Sequence, residues 1–131
     1  MDSKLSEAKI TEQLGLWKSA FSKETSRATC ALYDVQANLW GTLSKTKRDT
    51  PELIKDYFDT IFNFSNRSVE FHETQIRIFN EIAISSGTYT FSWVKGGGKV
   101  ITKARYSFIY LNKDGQWLIV EHHSSTMPKI K

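Results

Sequence analysis

The sequence predicts an α+β fold in which N-terminal helices pack on a curved antiparallel sheet. Before residue 64, apolar residues recur mostly every three or four positions, which is typical of amphipathic helices. From Ser68 onward, apolar and polar residues alternate within several stretches, and this two-residue period is typical of a strand. The turn segments KGGGK (95–99) and NKDG (112–115) divide this second part into consecutive strands. Helices followed by a strand meander indicate the α+β class.

The first two helices are predicted from apolar spacing. The first begins near Ser6, and a short second helix covers residues 26–33. The buried stripe of the first helix consists of Ile10, Leu14, Trp17 and Phe21. Residues 35–44 then have strand character, with Gly41 as a bend or bulge.

The clearest helix covers residues 49–64. Asp49 or Thr50 can cap its N-terminus, and Pro51 suits its first turn. Its predicted buried face consists of Leu53, Ile54, Tyr57, Phe58, Ile61 and Phe62.

Four strands are predicted after this helix, and the turn between the last two sets their register. The strands cover residues 68–80, 82–94, 100–111 and 116–125. A three-residue hairpin loop with Gly115 in the left-handed conformation would place Asn112 opposite Gln116. A loop of two or four residues would exchange the two faces of the strand, so these alternatives remain open.

The three-residue loop would turn Leu118, Val120, His122 and Ser124 toward the helices. Tyr106 would then oppose His122, and the last strand would end in a polar pocket wall of these two residues and Ser124. Tyr89, Tyr106 and Trp93 are interpreted as pocket wall and core. The opposite face would carry many apolar groups beside Arg105, among them Trp117 and Ile119. A second subunit is expected to cover that outer face, which predicts a homodimer.

Length, net charge and cysteine content limit the classes of function that the sequence favours. The 131 residues fit one domain. The lysines behind the net charge of +4 are dispersed, so nucleic-acid binding is not favoured. No apolar run is long enough to span a bilayer, so a membrane is not expected as a partner. Cys30 is the only cysteine, and the sequence shows no Cys/His metal cluster. The polar N-terminus contains no apolar segment, so a signal peptide is not expected. A soluble intracellular domain, or one cut from a longer protein, is expected; the compartment stays open.

Several short segments carry a family resemblance that covers about residues 32–128. The ending DGQWLIVEHHSSTMP (114–128) resembles the last hairpin of the calcium/calmodulin-dependent kinase II association domain. The segments LWGTLS, ELIKDYF, SSGTYTFSW, ARYSFIY and HHSSTMP resemble iota-class carbonic anhydrases in order and approximate spacing. The resemblance implies a cone-shaped nuclear transport factor 2-like fold.

The resemblance also implies a metal-free pocket that holds bicarbonate. It assigns the pocket hydroxyls to Thr42, Tyr57 and Ser124, and it places His122 beside them. These groups, together with Tyr106 in the wall, are the expected substrate contacts. A three-histidine zinc site is not favoured, because His122 and His123 are adjacent in a strand and point to opposite faces.

The chemistry expected at this pocket is the reversible hydration of CO2 without a cofactor. The hydroxyls would position water against CO2 and stabilise the charge of bicarbonate as it forms. His122 would take the proton, since an imidazole titrates near neutrality. The alternative is a module of the same fold that binds a small ligand without turnover or assembles an oligomer. In that case Tyr57, Thr42, His122 and Ser124 are ordinary core and strand residues.

Overall fold

Three helices pack on one five-stranded sheet in the computed structural model, which describes residues 3–130. The elements are α1 (Ser3–Lys23), α2 (Ser26–Cys30), β1 (Tyr33–Trp40), α3 (Pro51–Ile61), β2 (Ser65–Phe79), β3 (Ile82–Lys95), β4 (Gly98–Lys113) and β5 (Gln116–Thr126). The strand order is β1-β5-β4-β3-β2, and only β1 runs parallel to its neighbour. The predicted α+β class is confirmed. None of the helices in the described residues is long and apolar enough to cross a membrane.

The helix starts follow the capping rules. Thr50, rather than Asp49, caps α3, because its side chain accepts a hydrogen bond from the Leu53 N–H at 3.1 Å. Pro51 follows in the first turn, where its missing N–H has no cost. Leu53 was predicted on the buried face, but it lies exposed in this first turn.

The core fills the space between the helices and the inner face of the sheet. All four residues of the predicted α1 stripe are buried there. The indole of Trp17 lies at its centre, in contact with the rings of Phe21, Phe58 and Phe108. A bulge in β2 after Phe71 faces Gly87 of β3, where a Cβ atom would lie 1.8 Å from the Glu73 carbonyl oxygen. Bulges of this kind bend a sheet, which supports its curvature over the helices.

The β4–β5 hairpin has a shorter turn than predicted. Lys113 pairs with Gln116, so the loop contains only Asp114 and Gly115, both with positive φ (53° and 89°). Two left-handed residues make the type I′ turn that suits the strand twist, and Asp-Gly is a preferred sequence for it. The prediction that Leu118 and Val120 face the core is therefore wrong. Trp117 and Ile119, which were expected on the outer face, are buried instead.

A bulge then restores the predicted orientation for the rest of β5. Tyr110 pairs with Ile119, but Ile109 pairs with Glu121, so Val120 is the extra residue. His122 and Ser124 consequently face inward, as predicted, although Tyr106 pairs with Ser124 and not with His122. The shorter turn and the bulge each shift the pairing by one residue relative to the prediction, so the polar end of β5 has its predicted orientation.

Candidate functional site

A small cavity lies between α1, α3 and the inner face of the sheet. It is lined by Trp17, Phe21, Leu39, Gly41, Leu43, Tyr57, Phe58, Ile61, Tyr89, Phe91, Trp93, His122 and Ser124. The space open to the centre of a water-sized molecule is about 20 Å³. That is room for about one or two waters, so a ligand here has only a few heavy atoms. The cavity wall is mostly aromatic and aliphatic, and the side chains that line it carry no carboxylate, ammonium or guanidinium group.

The parallel pairing of β1 with β5 brings two of the predicted site residues together. Leu39 pairs with His122 and Trp40 with His123, so the C-terminal ends of the two strands lie side by side. The loop after β1 therefore starts beside the polar end of β5. Its Thr42 Oγ1 lies 2.7 Å from Ser124 Oγ, at hydrogen-bonding distance.

Tyr57 reaches the same place from α3. Its hydroxyl oxygen accepts a hydrogen bond from the Leu43 N–H at 3.3 Å. Burial raises the pKa of Tyr57, although the backbone N–H groups of the loop and the nearby Arg48 lower it. The phenol therefore keeps its proton at neutral pH and can donate it. Tyr57 and Ser124 thus both line the cavity, and Thr42 lies next to it through its hydrogen bond to Ser124.

Gly41 makes the position of Tyr57 possible. A Cβ atom at residue 41 would lie 2.3 Å from Cζ and 2.5 Å from the hydroxyl oxygen of Tyr57. A larger residue here would have to displace the Tyr57 ring, because the loop backbone lies directly against it.

We expect Gly41→Ala to displace the Tyr57 ring and to lower the free energy of unfolding by about 1–3 kcal/mol, the usual cost of overpacking. Gly15→Ala is the matched control, because a Cβ there meets nothing within 4 Å on an exposed part of α1. That variant should be about as stable as the wild type or more stable by about 1 kcal/mol. Urea unfolding measures both, and equal stability of the Gly41→Ala variant and the wild type would contradict the close approach.

His122 is buried between two phenols. Its Nδ1 lies 2.8 Å from the Tyr33 hydroxyl, and its Nε2 lies 3.2 Å from the Tyr89 hydroxyl. Desolvation, with a smaller contribution from His123, lowers the pKa of His122 to about 3. The ring is therefore neutral at physiological pH. The expectation that His122 takes a proton near neutrality is wrong, because burial disfavours the imidazolium.

Three aromatic residues extend this arrangement, and their polar roles were missed at the sequence level. The Trp17 Nε1–H donates to the Tyr33 oxygen at 3.1 Å, and the Tyr89 O–H donates to Ser124 Oγ at 2.5 Å. A continuous chain of hydrogen bonds thus connects Trp17, Tyr33, His122, Tyr89, Ser124 and Thr42. No local sequence pattern indicates these hydrogen bonds, because most of them join residues that are far apart in the sequence.

Tyr106 is placed differently. Its hydroxyl lies 3.1 Å from Ser85 Oγ and 3.3 Å from Thr74 Oγ1, and its ring stacks on Tyr89 with centroids 4.8 Å apart. It does not line the cavity. The structure therefore brings Thr42, Tyr57, His122 and Ser124 together but leaves the Tyr106 hydroxyl outside the group.

The other histidines lie apart from the cavity. His123 is exposed on the opposite face of β5, and His72 Nε2 lies 2.8 Å from Thr90 Oγ1 at the surface. Within residues 3–130, no three His, Cys, Asp or Glu side chains are grouped so that they could hold a metal ion.

Helices packed on a curved sheet around a small inner cavity define a fold of the nuclear transport factor 2 type. A nuclear transport factor 2-like superfamily protein from Salmonella enterica serovar Typhimurium has this fold, with a TM-score of 0.89 and 18% identity over 99% of this chain and 96% of its own. A protein of unknown function with a cystatin-like fold from Nostoc punctiforme is also similar (TM-score 0.78, 13% identity, 96% of this chain and 94% of its own).

The family itself is shown by sequence. The profile of the calcium/calmodulin dependent protein kinase II association domain matches residues 6–128, and the chain belongs to this family. A Xanthomonas campestris protein provisionally described as such a domain is 30% identical over 93% of this chain and 88% of its own, with a TM-score of 0.86. No curated protein matches the chain.

Proposed function

We propose that the cavity binds CO2 and bicarbonate and interconverts them without a metal ion. The observation that carries this proposal is that Tyr57 and Ser124 both line a small, mostly apolar cavity, and that Thr42 is hydrogen-bonded to Ser124. An apolar wall suits CO2, and hydroxyl donors suit the oxygen atoms of bicarbonate. The small size of the cavity favours ligands of a few heavy atoms over larger ones.

The reaction needs a water, an acceptor for its proton and donors for the new oxyanion. The water oxygen forms a bond to the carbon of CO2, one C=O π bond becomes C–O⁻, and the proton of the water leaves to solvent or buffer. The hydroxyls of Tyr57 and of the Thr42–Ser124 pair would donate to the oxygen on which the charge develops. His122 does not take the proton; it holds Tyr89, and through Tyr89 it holds Ser124.

Stopped-flow CO2 hydration by protein treated with a chelator tests this proposal. The expected result is a rate above that of the buffer, proportional to protein concentration and unchanged by added zinc. A rate equal to that of the buffer, or one that appears only with zinc, would contradict it.

A second candidate function, assembly, is supported by the outer face of the sheet. Five half-buried apolar side chains adjoin there across neighbouring strands: Ile84 pairs with Ile109, and Leu111 pairs with both Ile82 and Leu118. Large apolar groups that adjoin on an open sheet face are typical of a subunit interface. The family name, association domain, describes a related role. We propose that two copies of this chain pair through this face.

We expect Ile109→Asp to shift a dimer toward monomer, because it places a charge at the centre of this patch. Leu16→Asp is the control, since Leu16 is exposed on α1, which packs on the inner side of the sheet. Analytical ultracentrifugation measures both. A wild type that stays monomeric at tens of micromolar, or a dimer that the Ile109 variant leaves intact, would contradict this interface.

A further inference from the structure

We infer that the hydrogen-bond chain from Trp17 to Ser124 runs in one direction, so that the cavity presents donors and binds its ligand through an oxygen that accepts hydrogen bonds. This inference rests on the proposal that the cavity binds a ligand. It makes Trp17, Tyr33 and Tyr89 positioning residues, and it limits the ligand to small carboxylates, carbonates or carbonyl compounds.

One end of the chain is fixed by the indole. Trp17 Nε1–H can donate but not accept, so the hydrogen bond to Tyr33 has one direction. The Tyr33 hydroxyl has a single proton, which Trp17 cannot take. The acceptor left for that proton is His122 Nδ1, at 2.8 Å.

The other end leads to the same tautomer of His122. Tyr89 donates its single proton to Ser124, so it can only accept from His122 Nε2, at 3.2 Å. A neutral imidazole carries one N–H. That hydrogen must therefore lie on Nε2, and Nδ1 is free to accept from Tyr33.

The reverse arrangement leaves a buried donor unpaired. With the hydrogen on Nδ1, the Tyr33 oxygen would accept from both Trp17 and His122, and its own O–H would have no acceptor. Tyr33 is buried, and an unpaired buried donor is costly. The two ends thus agree on a single tautomer.

The direction of the chain decides what reaches the cavity. Ser124 and Thr42 have two hydroxyl protons, and one of them is used in the bond between the two residues. With Thr42 as the donor of that bond, Ser124, which accepts from Tyr89 and lines the cavity, keeps its own proton for a ligand. Tyr57 accepts from the Leu43 N–H and likewise keeps its own proton for a ligand. Two donors therefore face a ligand.

The tautomer is measured directly by ¹⁵N NMR of the His122 ring. We expect the hydrogen on Nε2 and no protonation between pH 5 and 8. Tyr89→Phe should give a mixture of tautomers, because it removes the acceptor for Nε2–H. Tyr110→Phe is the matched control, since the Tyr110 hydroxyl is buried without a hydrogen-bond partner among the described residues. Hydrogen on Nδ1 in the wild type, or an unchanged single tautomer in the Tyr89 variant, would overturn the inference.

The polarity of the ligand is tested with two small probes. Formate offers only acceptors, whereas methylammonium offers only donors. We expect formate to shift the His122 ring signals in a saturable way and methylammonium to bind at least 10-fold more weakly. Comparable binding of methylammonium, or no binding of formate, would overturn the inference. If formate binds but the protein does not hydrate CO2, the proposed reaction is wrong and the direction of the hydrogen-bond chain still stands. If the protein hydrates CO2 but the hydrogen of His122 lies on Nδ1, the proposed reaction stands and the direction of the chain is wrong.

Discussion

Ser124→Ala is expected to reduce the rate of CO2 hydration by about 100-fold or more, the usual effect of removing one donor to a developing oxyanion. Ser124 lies between Tyr89 and Thr42, so its loss also frees Thr42 from its 2.7 Å partner. Tyr57→Phe should have an effect of similar size, because it removes the second donor. The measurement is stopped-flow hydration on chelator-treated protein.

The fold should survive both changes, since each removes one oxygen atom and leaves the ring or the strand in place. Tyr110→Phe is again the control, because it removes an equally buried phenol oxygen that no described residue bonds. It should keep the full rate. Unchanged rates in the Ser124 and Tyr57 variants, with circular dichroism like that of the wild type, would contradict the assigned roles.

The second large effect concerns stability in acid. Burial lowers the pKa of His122 to about 3 from an ordinary value near 6.5. Above pH 6.5 the imidazole is neutral in both the folded and the unfolded chain, so His122 does not reduce the free energy of unfolding there. Below pH 6.5 the unfolded chain binds a proton that the folded chain excludes. The free energy of unfolding should therefore fall by about 1.4 kcal/mol per pH unit from this group, down to about pH 3.

Urea unfolding between pH 7 and pH 4 measures this decline. His122→Gln should flatten the part of the curve that belongs to His122, while His123→Gln, which removes only the smaller contribution of His123 to the low pKa of His122, should keep most of that decline. Carboxylates contribute equally to all three proteins, so the differences between the curves isolate the imidazole. Parallel curves for the His122 variant and the wild type would show that His122 is not held neutral by the fold.

The helices and strands follow from local chemistry and could be predicted. Thr50 and Pro51 mark the start of α3, and the α1 stripe is buried as its spacing indicates. The register of β5 could not be predicted from local sequence in the same way. Asp114 and Gly115 form a two-residue turn that reverses the expected faces, and the bulge at Val120 reverses them again. The position of that bulge has no local marker.

The candidate site was predictable only in part. The positions of Thr42, Tyr57 and Ser124 came from the resemblance. In the structure Tyr57 and Ser124 line the cavity, and Thr42 is hydrogen-bonded to Ser124. The neutral state of His122 depends on burial by α1 and the sheet together, which no single segment reveals. Tyr33 was assigned to the end of a helix, but it begins β1 and bonds to a residue 89 positions away.

The most direct test of the central claim is a crystal structure of the protein soaked in bicarbonate. The claim requires a bound anion in the cavity with one oxygen within about 3 Å of the Tyr57 hydroxyl and another within about 3 Å of Ser124 or Thr42. Bicarbonate bound elsewhere, or a cavity in which those hydroxyls contact only protein and water at saturating bicarbonate, would contradict it.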